Sequence, residues 1–151
     1  MKKFGAYKIV SDKEMNIEYY RGEITIEDLI SFKKKLHSDP DYNRYWSTIA
    51  DLRDCKLIVK SSEFSEFINF MKTGYDHTKS RSIALISSRP NDVAISTMYS
   101  LLVKESGLNF TTYLLSAIDS VVNSFCNNLF TEDELNAILK ELKTSTNNIY
   151  T

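Results

Sequence analysis

A chain of 151 residues, 42% hydrophobic and 26% charged, has the length of one domain and the composition of a folded globular protein. Nineteen Lys and Arg against twenty Asp and Glu give a formal net charge of −1, which leaves no bulk attraction to nucleic acid or to an anionic membrane. Only four Gly and two Pro exclude disordered, collagen-like and loop-dominated chains.

The stretch Met1-Lys2-Lys3 is basic through its two lysines, but polar Ser11, Asp12 and Lys13 arrive before any apolar run. No signal peptide is expected, and the cytoplasm is the expected compartment. Nowhere do about 18 apolar residues run together, so no membrane span is expected. Residues 7–11 and 15–20 read as two strands joined by Asp12, Lys13 and Glu14. Met15, Ile17 and Tyr19 alternate with Asn16, Glu18 and Tyr20, the pattern of a half-buried strand in an antiparallel hairpin. Gly22 is expected at its exit. Thr25 with Asp28 forms an approximate capping box for a helix whose stripe is Leu29, Phe32 and Leu36, extended by Ile30 and the Lys33 methylenes. Lys33, Lys34, Lys35 and His37 place positive charge in its last turn, and the stretch Ser38, Asp39, Pro40, Asp41 ends it.

Residues 46–52 predict a strand. Ser61 and Ser62 precede a helix whose stripe, Phe64, Phe67, Ile68 and Met71, fits the i, i+3, i+4, i+7 template. The apolar run Ile83, Ala84, Leu85, Ile86 is of the kind buried on both faces of a parallel sheet. Pro90 then suits the first turn of a helix marked by Ala94, Met98, Leu101, Leu102 and Glu105, with Gly107 as its stop. Residues 110–115 are the last predicted strand. Ser116 with Asp119 suggests a capping box ahead of the stripe Ile118, Val121, Val122 and Phe125. Thr131 with Glu134 caps a final helix striped by Leu135, Ile138, Leu139 and Leu142.

The order β-β-α-β-α-β-α-β-α-α predicts an α/β fold: a mixed sheet of about five strands, an antiparallel N-terminal hairpin then parallel strands, with four helices and an extra C-terminal one. Residues 1–128 form the expected domain, 129–143 a further helix packed on the domain or on a partner, and 144–151 a flexible tail.

Cys55 and Cys126 lack a CxxC spacing and read as buried thiols. His37 and His77 fall outside any metal-ligand spacing, and no GxSxG, P-loop or GxGxxG occurs. No catalysis, metal or cofactor is expected. In open α/β sheets ligands gather beyond the carboxyl ends of the parallel strands. That rule selects Asp51, Arg53 and Asp54, then Ser61 and Ser62, then Ser87, Ser88 and Arg89, and finally Ser116. With Arg53, Lys60 and Arg89 these could hold an anion; the plainer reading makes the serines N-caps and pairs the charges in the loops. Tyr42, Tyr45 and Trp46, with Tyr19 and Tyr20, suit either a recognition surface or core.

Several short stretches, in their order, resemble the STAS superfamily, and within it the SpoIIAA-like branch. They are Gly22-Glu23-Ile24-Thr25, Ile49-Ala50-Asp51-Leu52-Arg53, Ser61-Ser62-Glu63-Phe64, and Thr112-Tyr113-Leu114-Leu115-Ser116-Ala117. The resemblance spans roughly residues 5–126. In anti-sigma-factor antagonists of that superfamily a serine at the start of the second helix, in an Asp-Ser-x-Gly motif, is phosphorylated. Ser61 takes that place, with Lys60 where the aspartate would be and Glu63 where the glycine would be. A phosphate there would gain from the helix dipole and Lys60. The resemblance implies first a non-catalytic regulatory module of bacterial type that contacts a protein partner or a second copy. SpoIIAA-like domains also resemble CRAL-TRIO domains in fold, which implies as the alternative a small apolar or anionic, lipid-like ligand between helix and sheet. An ordinary core stripe on the helix that starts at Pro90 favours the first of these.

Overall fold

The computed structural model describes residues 4–147. Strands β1 (Gly5–Val10), β2 (Met15–Thr25), β3 (Ser47–Ile58), β4 (Arg81–Ile86) and β5 (Phe110–Leu115) form one sheet in the order β1-β2-β3-β4-β5. β1 and β2 are antiparallel and every later pair is parallel. Helices α1 (Ile26–His37), α2 (Phe64–Lys72) and α3 (Pro90–Glu105) link the parallel strands. A short turn, Ile118–Ser120, runs into π-helical Val121–Phe125 to make α4, and α5 (Glu132–Thr146) comes last. The fold class and the order of elements are those the sequence predicts.

Each parallel strand is added on the same side of the one before it, so right-handed crossovers bring α1, α2 and α3 to one face. On this front face Tyr20, Ala50, Leu52, Ile83, Leu85 and Phe110 pack under the buried stripe Phe64, Phe67, Ile68 and Met71 of α2 and under α1 and α3. On the back face Ile17, Tyr19, Ile49, Ala84 and Ile86 pack against Ile118, Val121, Val122, Leu135, Leu139 and Leu142. The helix expected over 129–143 therefore lies on the domain as the second layer of its sandwich. It continues through Thr146, which is buried, so the expected tail begins later than residue 144. Residues 148–151 of that tail lie outside the described residues.

Two capping boxes form as predicted. Thr25 N–H donates to the Asp28 carboxylate at 2.9 Å while Asp28 N–H donates to the Thr25 hydroxyl at 3.2 Å. Thr131 and Glu134 make the same reciprocal pair, both bonds at 3.1 Å. The box at Ser116 and Asp119 does not form. α4 begins one residue later, after Ala117, and the Asp119 carboxylate accepts the N–H of Ser120.

Two strands outrun their predictions. β2 passes through Gly22, whose φ of +77° fits glycine, just beyond a register shift between Tyr19 and Arg21. β3 continues from Leu52 to Ile58 along β2, past the point where its pairing with β4 ends at Asp51.

The largest correction concerns α3. Its predicted stripe is turned outward: Ala94, Met98 and Leu101 are exposed, Leu101 by 58%. Asp92, Ser96 and Val103 face the interior, with Ile95, Tyr99 and Leu102 half-buried. Apolar residues occur all round this helix, so period alone leaves its phase undetermined. The aromatic group resolves as core: Tyr19 and Tyr20 are buried, while Tyr42 and Tyr45 pack half-buried on the front cluster.

Candidate functional site

The residues chosen by the carboxyl-end rule do not converge. Arg53 folds back on Asp51, its Nε at 2.9 Å and its Nη2 at 2.8 Å from the carboxylate. Asp54 accepts the Tyr19 hydroxyl at 2.6 Å, and Lys143 of α5 stands 3.2 Å away. The Tyr19 hydrogen bond and Lys143 hold the Asp54 carboxyl below its ordinary range, against the effect of burial. These charges satisfy one another in a polar groove of about 320 Å³ between β3 and α5. Ser87 is buried with no partner for its hydroxyl, whereas Ser88, Arg89 and Ser116 are exposed. One Arg89 nitrogen lies 3.4 Å from the Cys55 carbonyl.

Ser61 and Ser62 are exposed on a 3₁₀ turn, Ser61–Glu63, and neither side chain caps it. The turn is tied by Lys60 N–H, which donates to the Glu63 carboxylate at 2.8 Å. Lys60 also lines a groove of about 590 Å³ bounded by the start of α1, the end of β3 and the start of α3.

A second constellation has no counterpart among the predicted site residues. Strand alternation points Glu18 outward from a half-buried sheet, yet it is 0% exposed, because α1 covers the face on which it lies. Lys33 of α1 reaches it with Nζ at 2.6 and 2.7 Å from the two carboxylate oxygens. The Tyr20 hydroxyl donates to Glu18 Oε1 at 2.5 Å. Burial alone would push the Glu18 carboxyl up, but Lys33, Tyr20 and Arg81 outweigh it and hold it below the ordinary value. Burial pulls the Lys33 ammonium down, with Glu18 opposing. Lys33 and Tyr20 together give the Glu18 carboxylate three hydrogen bonds.

Arg81, 2% exposed at the first position of β4, sits on the same face. Its Nε donates to the Trp46 carbonyl at 3.1 Å and its Nη2 to the Thr48 hydroxyl; its Nη1 makes no hydrogen bond among the described residues, although Arg81 stands close enough to the Tyr42 hydroxyl to oppose the rise that burial gives its pKa. Ser96 of α3 is equally buried, and its hydroxyl is also unpartnered. His37 stacks on Tyr42 at 4.8 Å between ring centres. Burial first, then Lys33, Arg44 and Arg81, push its imidazole down to about 4, so it is neutral near pH 7. The inner cluster thus holds two cations, Lys33 and Arg81, for one carboxylate.

Glu18, Lys33, Arg81, Ser96 and Tyr99 line a cavity of about 80 Å³ between the sheet and α1, α2 and α3. The remaining walls are apolar, among them Ala50, Leu52, Phe67, Met71 and Ile83. Leu57 and Ile95 line both this cavity and the outer groove that contains Lys60. Groove and cavity therefore share one wall at the carboxyl end of β3, where the general rule places an entrance. The only sequence trace of the cluster is Lys33 itself, on the apolar stripe between Leu29 and Leu36.

Cys55 and Cys126 are buried free thiols, as predicted. Burial pushes Cys55 up to about 12, with Asp92 adding to it, and Cys126 up to about 11. Among the described residues no group of three or more His, Cys, Asp and Glu could hold a metal ion, and no helix is long and apolar enough to cross a membrane. Comparison with known protein families, curated proteins and solved structures finds no significant match to this chain. The resemblance to STAS domains rests on the order of elements and the short stretches quoted above.

Proposed function

We propose that this chain is a non-catalytic binding domain that takes a small ligand between its sheet and α1, α2 and α3. The observation that carries the reading is the pair of buried, unpartnered polar groups, Arg81 Nη1 and Ser96 Oγ, on the wall of one largely apolar cavity. Buried polar groups in native proteins are nearly always bonded, and each one left unpaired costs about 1–3 kcal/mol. A ligand that bonds them removes that cost. The phase of α3 supports the same reading, since the helix turns Ser96 and Tyr99 toward the cavity and its predicted core stripe toward solvent.

The test is native mass spectrometry of the purified chain beside a Ser96→Leu variant that fills the cavity. A non-covalent adduct on the wild type, absent from the variant, is the expected result. Wild-type protein that carries no adduct, and that no small molecule in a screen stabilises against heat, would count against the reading.

A protein-contact role is a second reading, favoured by a different surface. Edge strand β5 carries no charged side chain and exposes Tyr113 and Leu114, and α3 exposes Val93, Met98 and Leu101. Uncharged edges of this kind pair readily with other chains. Leu114→Lys should then abolish any self-association seen by sedimentation.

A further inference from the structure

We infer that the ligand of this cavity is a small organic monoanion, in its simplest form a short-chain carboxylate received by Arg81. The inference rests on the binding reading above and names the chemistry of its ligand.

Charge count is the first argument. Lys33 and Arg81 are both buried, and Glu18 is the one carboxylate among the cavity's lining residues. Glu18 already accepts three hydrogen bonds, with Lys33 on both its oxygens and Tyr20 on one of them, while Arg81 reaches it only through its field. Asp92, the buried carboxylate of α3, accepts Leu57 N–H at 3.2 Å and is not part of the cavity wall. Among the described residues Arg81 therefore has no ion-pair partner of its own, its charge met only by the field of Glu18 and by the Phe110 ring 5.5 Å away, and a buried cation so weakly paired is unfavourable.

Hydrogen-bond direction is the second. The guanidinium is a rigid fork that matches a carboxylate. Two of its nitrogens are taken by neutral oxygens, of Trp46 and Thr48, while Nη1, with the Tyr42 hydroxyl near the guanidinium, makes no hydrogen bond among the described residues. Ser96 adds a second unbonded polar group to the lining of the same cavity, a hydroxyl able to donate.

Size and wall chemistry are the third. An apolar protein cavity of about 150 Å³ holds benzene, so the 80 Å³ here suits about three or four heavy atoms. Walls of Ala50, Leu52, Phe67 and Ile83 match a hydrocarbon body and offer nothing to the water shell of an inorganic ion.

Titration calorimetry of the full chain with sodium acetate, ethanol, sodium chloride and inorganic phosphate tests the inference. Acetate is expected to saturate one site on the wild type. Its affinity should fall about tenfold in Ser96→Ala and beyond detection in Arg81→Gln. Arg81→Lys keeps the charge without the fork, and is expected to bind about tenfold more weakly. It carries the test if Arg81→Gln fails to fold. Bound acetate should also raise the titration midpoint of His37, read by its ring proton signals, because it neutralises one of the cations that depress it. If ethanol binds as well as acetate and Arg81 variants are indifferent, the anion assignment is overturned while the binding reading stands. Chloride competing on equal terms would remove the organic body from the assignment, and tighter binding of phosphate would remove the single charge. Failure of all four probes to bind wild-type protein would overturn the inference; only failure of the adduct experiment would bring down the binding reading as well.

Discussion

Replacing Glu18 with Gln leaves Lys33 and Arg81 buried on one face with no carboxylate between them. Glu18 is fully buried and accepts three hydrogen bonds, two from Lys33 and one from Tyr20. Gln keeps the shape and part of the bonding but not the charge. Breaking a buried pair from one side typically costs about 3–5 kcal/mol, because the surviving charge is stranded. For a chain of this length each kcal/mol moves the melting point by about 2–4 °C, so a fall of about 12 °C is expected. The double variant Glu18→Gln/Lys33→Met should recover much of that loss, giving a coupling energy of at least about 2 kcal/mol. Urea unfolding followed by Trp46 fluorescence measures all four corners of the cycle. Acid provides a second axis. The folded carboxyl lies below its ordinary value of 4.5, so its contribution is present above that pH and is lost as pH falls through the folded value. Glu18→Gln should flatten this acid limb. A single variant within about 0.5 kcal/mol of wild type, or a cycle that is simply additive, would refute the reasoning.

Two further outcomes follow from the packing and the charges. Leu139→Ala, in the layer between α5 and the back of the sheet, should cost about 2–5 kcal/mol by chemical denaturation, while Asn136→Ala, exposed on the same helix, should change stability by less than about 0.5 kcal/mol. His37 has a folded midpoint near 4 against an ordinary value of 6.5. The unfolded chain therefore binds more protons in that window, and stability should fall as pH drops from 6.5 toward 4. Urea midpoints across the window should decline less steeply for His37→Gln. An equal slope would show that neither burial nor the charges of Lys33, Arg44 and Arg81 depress this ring.

Elements with an unambiguous period or a reciprocal cap were readable from sequence. The α2 stripe Phe64, Phe67, Ile68, Met71 and the boxes at Thr25 and Thr131 depend on neighbours close along the chain. What was not readable depends on layers. Glu18 looks like a solvent-facing residue in a half-buried strand, and only the presence of helices on both faces turns it inward. Its partner Lys33 is 15 residues away, a separation no local pattern encodes. α3 fails for the opposite reason, since apolar side chains on every side give several equally good phases. The carboxyl-end rule did reach the neighbourhood of the groove through Lys60, but its chosen acids, Asp51 and Asp54, turned to Arg53, Tyr19 and Lys143.

The one-sided winding of the sheet has a consequence for biosynthesis. α1, α2 and α3 emerge between the strands they cover, so the front layer assembles as the chain lengthens. The back of the sheet has no cover until residues 118–142 have been made. At about 5–20 residues per second, the 31 residues from Ser116 to Thr146 take about 2–6 s. During that interval Ile17, Ile49, Ala84 and Ile86 can meet water, a chaperone or another nascent chain. The last helix thus works as a closing flap on an unfinished domain, and substitutions that weaken its stripe should reduce soluble yield in the cell more than they reduce equilibrium stability.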